Sequence, residues 1–126
     1  MIYSSKHKFI FIAVPKTGTT SIESCLLRSG DCTASLQSVC EITGIQSEPG
    51  DNNSKKHITA IELKHRLKGI YEQCFTFAYT RNPWARLVSL FNYRYRLPDP
   101  DNKQFRKFIN EHTGVHTKPN VRPALD

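Results

Sequence analysis

Six consecutive apolar residues, Phe9 to Val14, run without a break into Pro15, Lys16, a single glycine at Gly18 and a set of hydroxyl residues, and then into an amphipathic stretch ending near Leu27. A continuous apolar run suits a strand covered on both faces, as in a parallel sheet, whereas a half-exposed strand alternates apolar and polar positions. The pattern therefore predicts strand, turn, helix. Pro15 ends the ladder, and Gly18 permits tight backbone geometry where the chain turns.

Beyond Asp31 the periodicity weakens. Leu36, Val39, Cys40 and Ile42 fit one short helix or strand, and SEPGDNNSKK, residues 47 to 56, reads as an exposed, turn-forming loop. Order returns in HITAIELKHRLKGIYEQ. Thr59 with Glu62 three residues later is a capping-box pattern, and Ile58 is placed to staple against Leu63. Gly69 stands where a C-terminal cap is expected, so a helix is predicted from about Ala60 to Lys68.

The next stretch, CFTFAYTRNPWARLVSLFNYRYRL, repeats the first pattern. Phe75 to Thr80 is a short apolar and aromatic strand, Arg81 follows its end, Asn82 is a good N-cap and Pro83 a good first helical residue. Trp84, Leu87, Val88, Phe91 and Tyr95 recur at helical spacing and are predicted to form a buried face, with Arg86, Arg94 and Arg96 on the solvated side. The last segment contains one further helix around Lys103 to Glu111, with Phe105 and either Phe108 or Ile109 inward, before a basic, proline-containing tail.

The chain has 126 residues, enough for one domain with a modest core, and residues 1–126 are read as a single domain. Net charge is +7 with a pI near 9.4, which favours anionic partners such as a nucleotide, an acidic sugar, a nucleic acid or a membrane surface. The apolar run is far short of the roughly 20 residues a membrane span requires, and no signal-peptide pattern precedes it; the cytoplasm is the default location. Four cysteines, Cys25, Cys32, Cys40 and Cys74, form no C-x-x-C pair, and the five histidines have no zinc-like spacing with them, so reduced thiols and no metal site are expected. His112 and His116 are four apart, but Gly114 lies between them and no third ligand is near.

Both strand-turn-helix units carry chemistry for binding an anion. In the first, a helix N-terminus offers N-H groups and a favourable dipole, Lys16 adds a positive charge, and Thr17, Thr19, Thr20 and Ser21 add hydroxyl donors. The pattern is not the nucleotide-binding G-x-x-x-x-G-K-[ST], because Lys16 precedes the only glycine. The bland alternative is an ordinary turn whose hydroxyls cap the helix. In the second, Arg81 at a strand end and Ser89 two turns into the following helix can converge on one anion, the guanidinium offering a fork of donors. Open α/β sheets bind ligands at the carboxyl ends of their strands, so a ligand with two separated anionic groups would bridge the pair. His57, just ahead of a helix N-terminus and next to Lys55 and Lys56, sits where its protonated form is disfavoured and it is available as a base; the alternative is a loop histidine with no task.

PKTGTTSIE resembles the 5′-phosphosulfate-binding loop of sulfotransferases, RNPWARLVSLF resembles their 3′-phosphate-binding segment, and KKHITAIEL resembles the part that carries their catalytic base. The three occur in the family's order and span Phe9 to Tyr95, with the closest likeness to carbohydrate sulfotransferases. The resemblance implies an α/β fold, a P-loop-NTPase-like three-layer sandwich with a central parallel sheet, and 3′-phosphoadenosine 5′-phosphosulfate as sulfuryl donor. It implies that Lys16, Thr17, Gly18, Thr19, Thr20 and Ser21 hold the phosphosulfate, that Lys16 also neutralises charge on the departing oxygen, and that Arg81 and Ser89 hold the 3′-phosphate. His57 would be the base that deprotonates an acceptor hydroxyl, with no metal required and a carbohydrate as the expected partner.

Compared with the family the chain reads as interrupted near Asp126, so an incomplete sheet is expected, with apolar surface on Phe75 to Thr80 and on the helix after Pro83 that another chain could cover by self-association. Two other functions remain open: a non-catalytic nucleotide-binding remnant that keeps the motifs, and a basic nucleic-acid-binding module whose binding weakens steeply with salt. Nucleic acid is not the expected partner, because its support is mainly net charge.

Overall fold

A computed structural model describes residues 1–47, 56–96 and 102–113. The described residues form three strands and six helices, and the chain packs as two compact units, Met1–Arg81 and Asn82–Asp126. Most of the expected loop at residues 47 to 56, the tail from residue 114 and the side chain of His112 lie outside the described set.

In the first unit, β1 (Ile2–Ser4) and β2 (Phe9–Ile12) pair antiparallel, with Tyr3 opposite Ile10, and β2 pairs parallel with β3 (Phe75–Ala78), with Phe11 opposite Phe77 and Ile12 opposite Ala78. The sheet order is β1-β2-β3, so β2 is central, as its apolar run predicts. The sheet is nevertheless mixed, not parallel throughout. Only four residues separate β1 from β2, enough for a hairpin but far short of the dozen or so that a parallel crossover requires. Three residues are too few to show a period, which is why β1 is not legible as a strand in the sequence.

Helices cover both faces of this sheet. On one face Tyr3 and Ile10 pack with Val39 of α2 (Leu36–Thr43) and with Leu63 and Leu67 of α3 (Ala60–Leu67). On the other, Ile2, Phe11 and Ala13 pack with Ile22 and Leu26 of α1 (Thr19–Leu27). Alternate strand residues point to opposite faces, so one short apolar run feeds two helical layers. The ambiguous segment after Asp31 is helical because Ser35 accepts a bond from the Ser38 N-H and Gly44 closes the helix in the left-handed conformation.

Helix α3 begins as predicted: the Thr59 hydroxyl accepts from the Glu62 N-H at 3.2 Å, and Ile58 and Leu63 are both buried in the same cluster. Its end differs from expectation. The residue with positive φ is Lys68, at 41°, while Gly69 opens a short helix α4 (Gly69–Glu72).

The second unit contains α5 (Pro83–Tyr95) and α6 (Asn102–Thr113). Asn82 caps α5 by accepting from the N-H groups of Trp84 and Ala85. Phe91 packs against Phe105 and Phe108 with ring centroids 5.1 and 5.3 Å apart, and Phe108 is fully buried. The predicted buried stripe on α5 is corrected here: Phe91 is buried, but Trp84 is 70% exposed and Val88 and Tyr95 are exposed too. Periodicity identifies the side of a helix that is apolar, while burial also requires something packed against it.

Candidate functional site

The carboxyl end of β2 leads into the turn through carbonyls that are all satisfied from within the protein. The Val14 N-H donates to Ile12 O at 3.1 Å, a tight turn that ends the strand. The Thr17 hydroxyl donates to Val14 O at 2.9 Å. Between them, Ala13 O lies 2.7 Å from His57 Nδ1. Three successive acceptors are thereby engaged within the chain.

The turn itself is held in an uncommon backbone conformation. Lys16 has φ 64° and Gly18 φ 87°, both in the left-handed region. Glycine adopts it without a side-chain penalty; lysine does so at a cost of about 1–2 kcal/mol. Gly18 is also the N-cap of α1, and being glycine it offers no side-chain bond to the first-turn N-H groups. The hydroxyls near it are therefore not spent as helix caps: Ser21 and Ile22 donate their N-H groups to Gly18 O, Thr20 and Ser21 are exposed, and Thr19 is buried. Thr17 differs from the other hydroxyl residues, because its proton is committed to Val14 O.

His57 is exposed, two residues ahead of the α3 cap Thr59, and anchored by its buried neighbour Ile58. A carbonyl can only accept, so His57 Nδ1 carries a proton in the bond to Ala13 O, and in the neutral ring the lone pair is on Nε2. The bond spans 44 positions of sequence and sets the imidazole beside the turn that contains Lys16.

Arg81 follows β3 by three positions and is exposed; Lys16 follows β2 by four. Because β2 and β3 are parallel neighbours with Ile12 opposite Ala78, both segments leave the same, carboxyl, end of the sheet. Ser89 is partly exposed on α5, in the second unit. Among the described residues, no cluster of histidine, cysteine and acidic side chains could hold a metal ion, and no helix is long and apolar enough to cross a membrane.

A family model described as the sulfotransferase family matches residues 1–122. The chain belongs to the sulfotransferase family. Neither a curated protein nor a solved structure gives a significant match. Two charged residues to which the sequence assigned no binding or catalytic role lie against the turn. Lys56 Nζ is 3.0 Å from Glu23 Oε2 and 3.4 Å from Thr20 Oγ1, linking the residue before His57 to the first turns of α1. Glu23 is visible in the PKTGTTSIE motif and Lys56 in KKHITAIEL, but their pairing spans 33 positions and has no local signature.

Proposed function

We propose that this sulfotransferase uses 3′-phosphoadenosine 5′-phosphosulfate as donor and transfers the sulfuryl group to an acceptor hydroxyl, that of a carbohydrate. The observation that carries this reading is the bond from His57 Nδ1 to Ala13 O, which joins a candidate base to a candidate anion loop. The donor set supports it. Lys16, Thr20 and Ser21 stand at a helix start with no side-chain cap, and a methyl group built on Gly18 would meet nothing within 4 Å, so a ligand has room to approach the backbone. Helices on both faces of the sheet support a P-loop-NTPase-like three-layer arrangement.

The bound nucleotide supplies an activated sulfuryl group on a phosphate leaving group. Around it, Lys16 holds positive charge for the oxygen that becomes anionic, acting on charge as it develops. The hydroxyls of Thr20 and Ser21 donate to the phosphosulfate, while Thr17, Gly18 and Thr19 contribute backbone N-H groups. Arg81 and Ser89 hold the 3′-phosphate, with the guanidinium providing paired donors. His57 Nε2 accepts the proton of the acceptor hydroxyl, and the Nδ1–H goes on donating to Ala13 O, so the imidazolium that forms keeps its bond.

The test is calorimetric titration with adenosine 3′,5′-bisphosphate together with a transfer assay. Lys16→Ala and Arg81→Ala each weaken binding by about tenfold or more, the usual range for a lost charge-assisted hydrogen bond. His57→Ala retains binding and loses about 10²–10⁴-fold in transfer, the range for a general base. Unchanged affinity in both cation variants would sink the two-anion reading, and equal loss of binding and transfer in His57→Ala would make His57 structural.

A further inference from the structure

The proposed base is exposed, and one hydrogen bond from an exposed loop is a weak constraint on a ring. What precedes it is held far more firmly. Lys56 is gripped at both ends: its carbonyl accepts from the Met1 amino group at 3.0 Å, and its ammonium pairs with Glu23 at 3.0 Å while also donating to Thr20 Oγ1 at 3.4 Å. Glu23 is itself confined, with its side chain 13% exposed, and its other oxygen lies 3.9 Å from the same amino group. An ion pair with one confined partner loses less to side-chain entropy and to water than one between two mobile groups, so it can fix a backbone position.

We propose that Glu23 is a positioning residue: through Lys56 it holds His57 against Ala13 O, and so keeps the neutral imidazole in the Nδ1-H tautomer with the lone pair on Nε2. The proposal rests on the reading of His57 as the base. Thr20 and Glu23 are three positions apart in α1, so they lie on one face of it, and the Lys56 ammonium bridges them. The bridge has a second consequence. An ammonium has protons to give and none to accept, so Thr20 Oγ1 is the acceptor in their bond, and its own proton is left to be donated elsewhere. One lysine thus sets both the tautomer of the base and the donor sense of a hydroxyl in the anion loop.

The measurement is a nitrogen-proton correlation spectrum of the His57 ring in its neutral form, which reports the nitrogen that carries the proton. In the native chain the proton is on Nδ1. In Lys56→Met and in Glu23→Ala the ring leaves Ala13 O and the spectrum shows a mixture of tautomers, whereas Lys56→Arg restores the native pattern. Lys64→Met, which removes the exposed Lys64–Glu72 pair at 3.4 Å, leaves it unaltered. Under turnover, Lys56→Met lowers kcat by about tenfold or more through misplacement of the base. Should Glu23→Ala fail to fold, Lys56→Met decides alone, since that side chain is 44% exposed.

A native tautomer and native kcat in Lys56→Met would overturn the proposal and leave the sulfotransfer reading standing. A tautomer that depends on Lys56 and Glu23 in a chain that transfers nothing would support the clamp and sink His57 as a catalytic base.

Discussion

Individual side chains in the first unit are specialised by small differences in their surroundings. Thr17 and Thr20 are both candidate anion donors in the sequence, yet Thr17 spends its proton on Val14 O while Thr20 receives one from Lys56. Cys74 and Tyr3 make a similar point about ionisation. Burial beside the α3 cluster raises the Cys74 thiol above its ordinary value, with Lys8 opposing; burial raises the Tyr3 phenol, and a Cys74 thiolate would raise it further. Both folded values exceed the unfolded ones, so the stability from keeping these groups neutral is complete below the unfolded values and is lost as pH rises through the folded ones. Denaturation midpoints are therefore expected to fall above about pH 8.5, where an unfolded thiol titrates, and Cys74→Ala should flatten the first part of that decline. Alkylation at pH 8 checks the same point, with exposed Cys25 reacting well before Cys74.

The elements owe their boundaries to short-range chemistry that is written in the sequence. Asn82-Pro83 and Thr59-x-x-Glu62 both start helices where the capping rules place them. Asn82→Ala removes two bonds to first-turn N-H groups and Thr59→Ala removes one. Each is expected to cost about 1 kcal/mol in urea denaturation, with Asn82→Ala the larger. Helix ends were less legible than helix starts. The sequence suggests Gly69 as the left-handed stop for α3, but Lys68 adopts positive φ one residue earlier, and Gly69 starts α4. That choice is made by packing, since Leu67 and Ile70 on either side of the kink both meet the same core cluster.

At the scale of the whole molecule, strand position decides how similar sequences are used. FIFI and FTFA read alike, yet β2 has partners on both edges and β3 has one described partner. Phe11 is fully buried and Phe75 is 72% exposed. Phe11→Ala is accordingly expected to cost about 3–5 kcal/mol in a chemical denaturation experiment, the range for a buried phenylalanine. Phe75→Ala should stay within about 0.5 kcal/mol of the parent, as surface changes do. The parallel pairing of β2 with β3 also places the two proposed anion-binding segments. It sends the Lys16 and Arg81 segments off one end of the sheet, the carboxyl end at which ligands of open α/β sheets bind.

By itself the sequence determined the local elements and the candidate residues. Apolar runs, caps and hydroxyl-rich turns act over a few positions, and their physics is complete within that span. Tertiary structure alone decided three things. The hairpin made by β1 depends on pairing with a neighbour and not on any period of its own. The exposure of Trp84 and Phe75 depends on what is packed beside them. The bond from His57 to Ala13 and the ion pair from Lys56 to Glu23 join residues more than thirty positions apart, and no local pattern records them. A sequence can specify a donor and an acceptor separately; only the folded chain brings them within 3 Å.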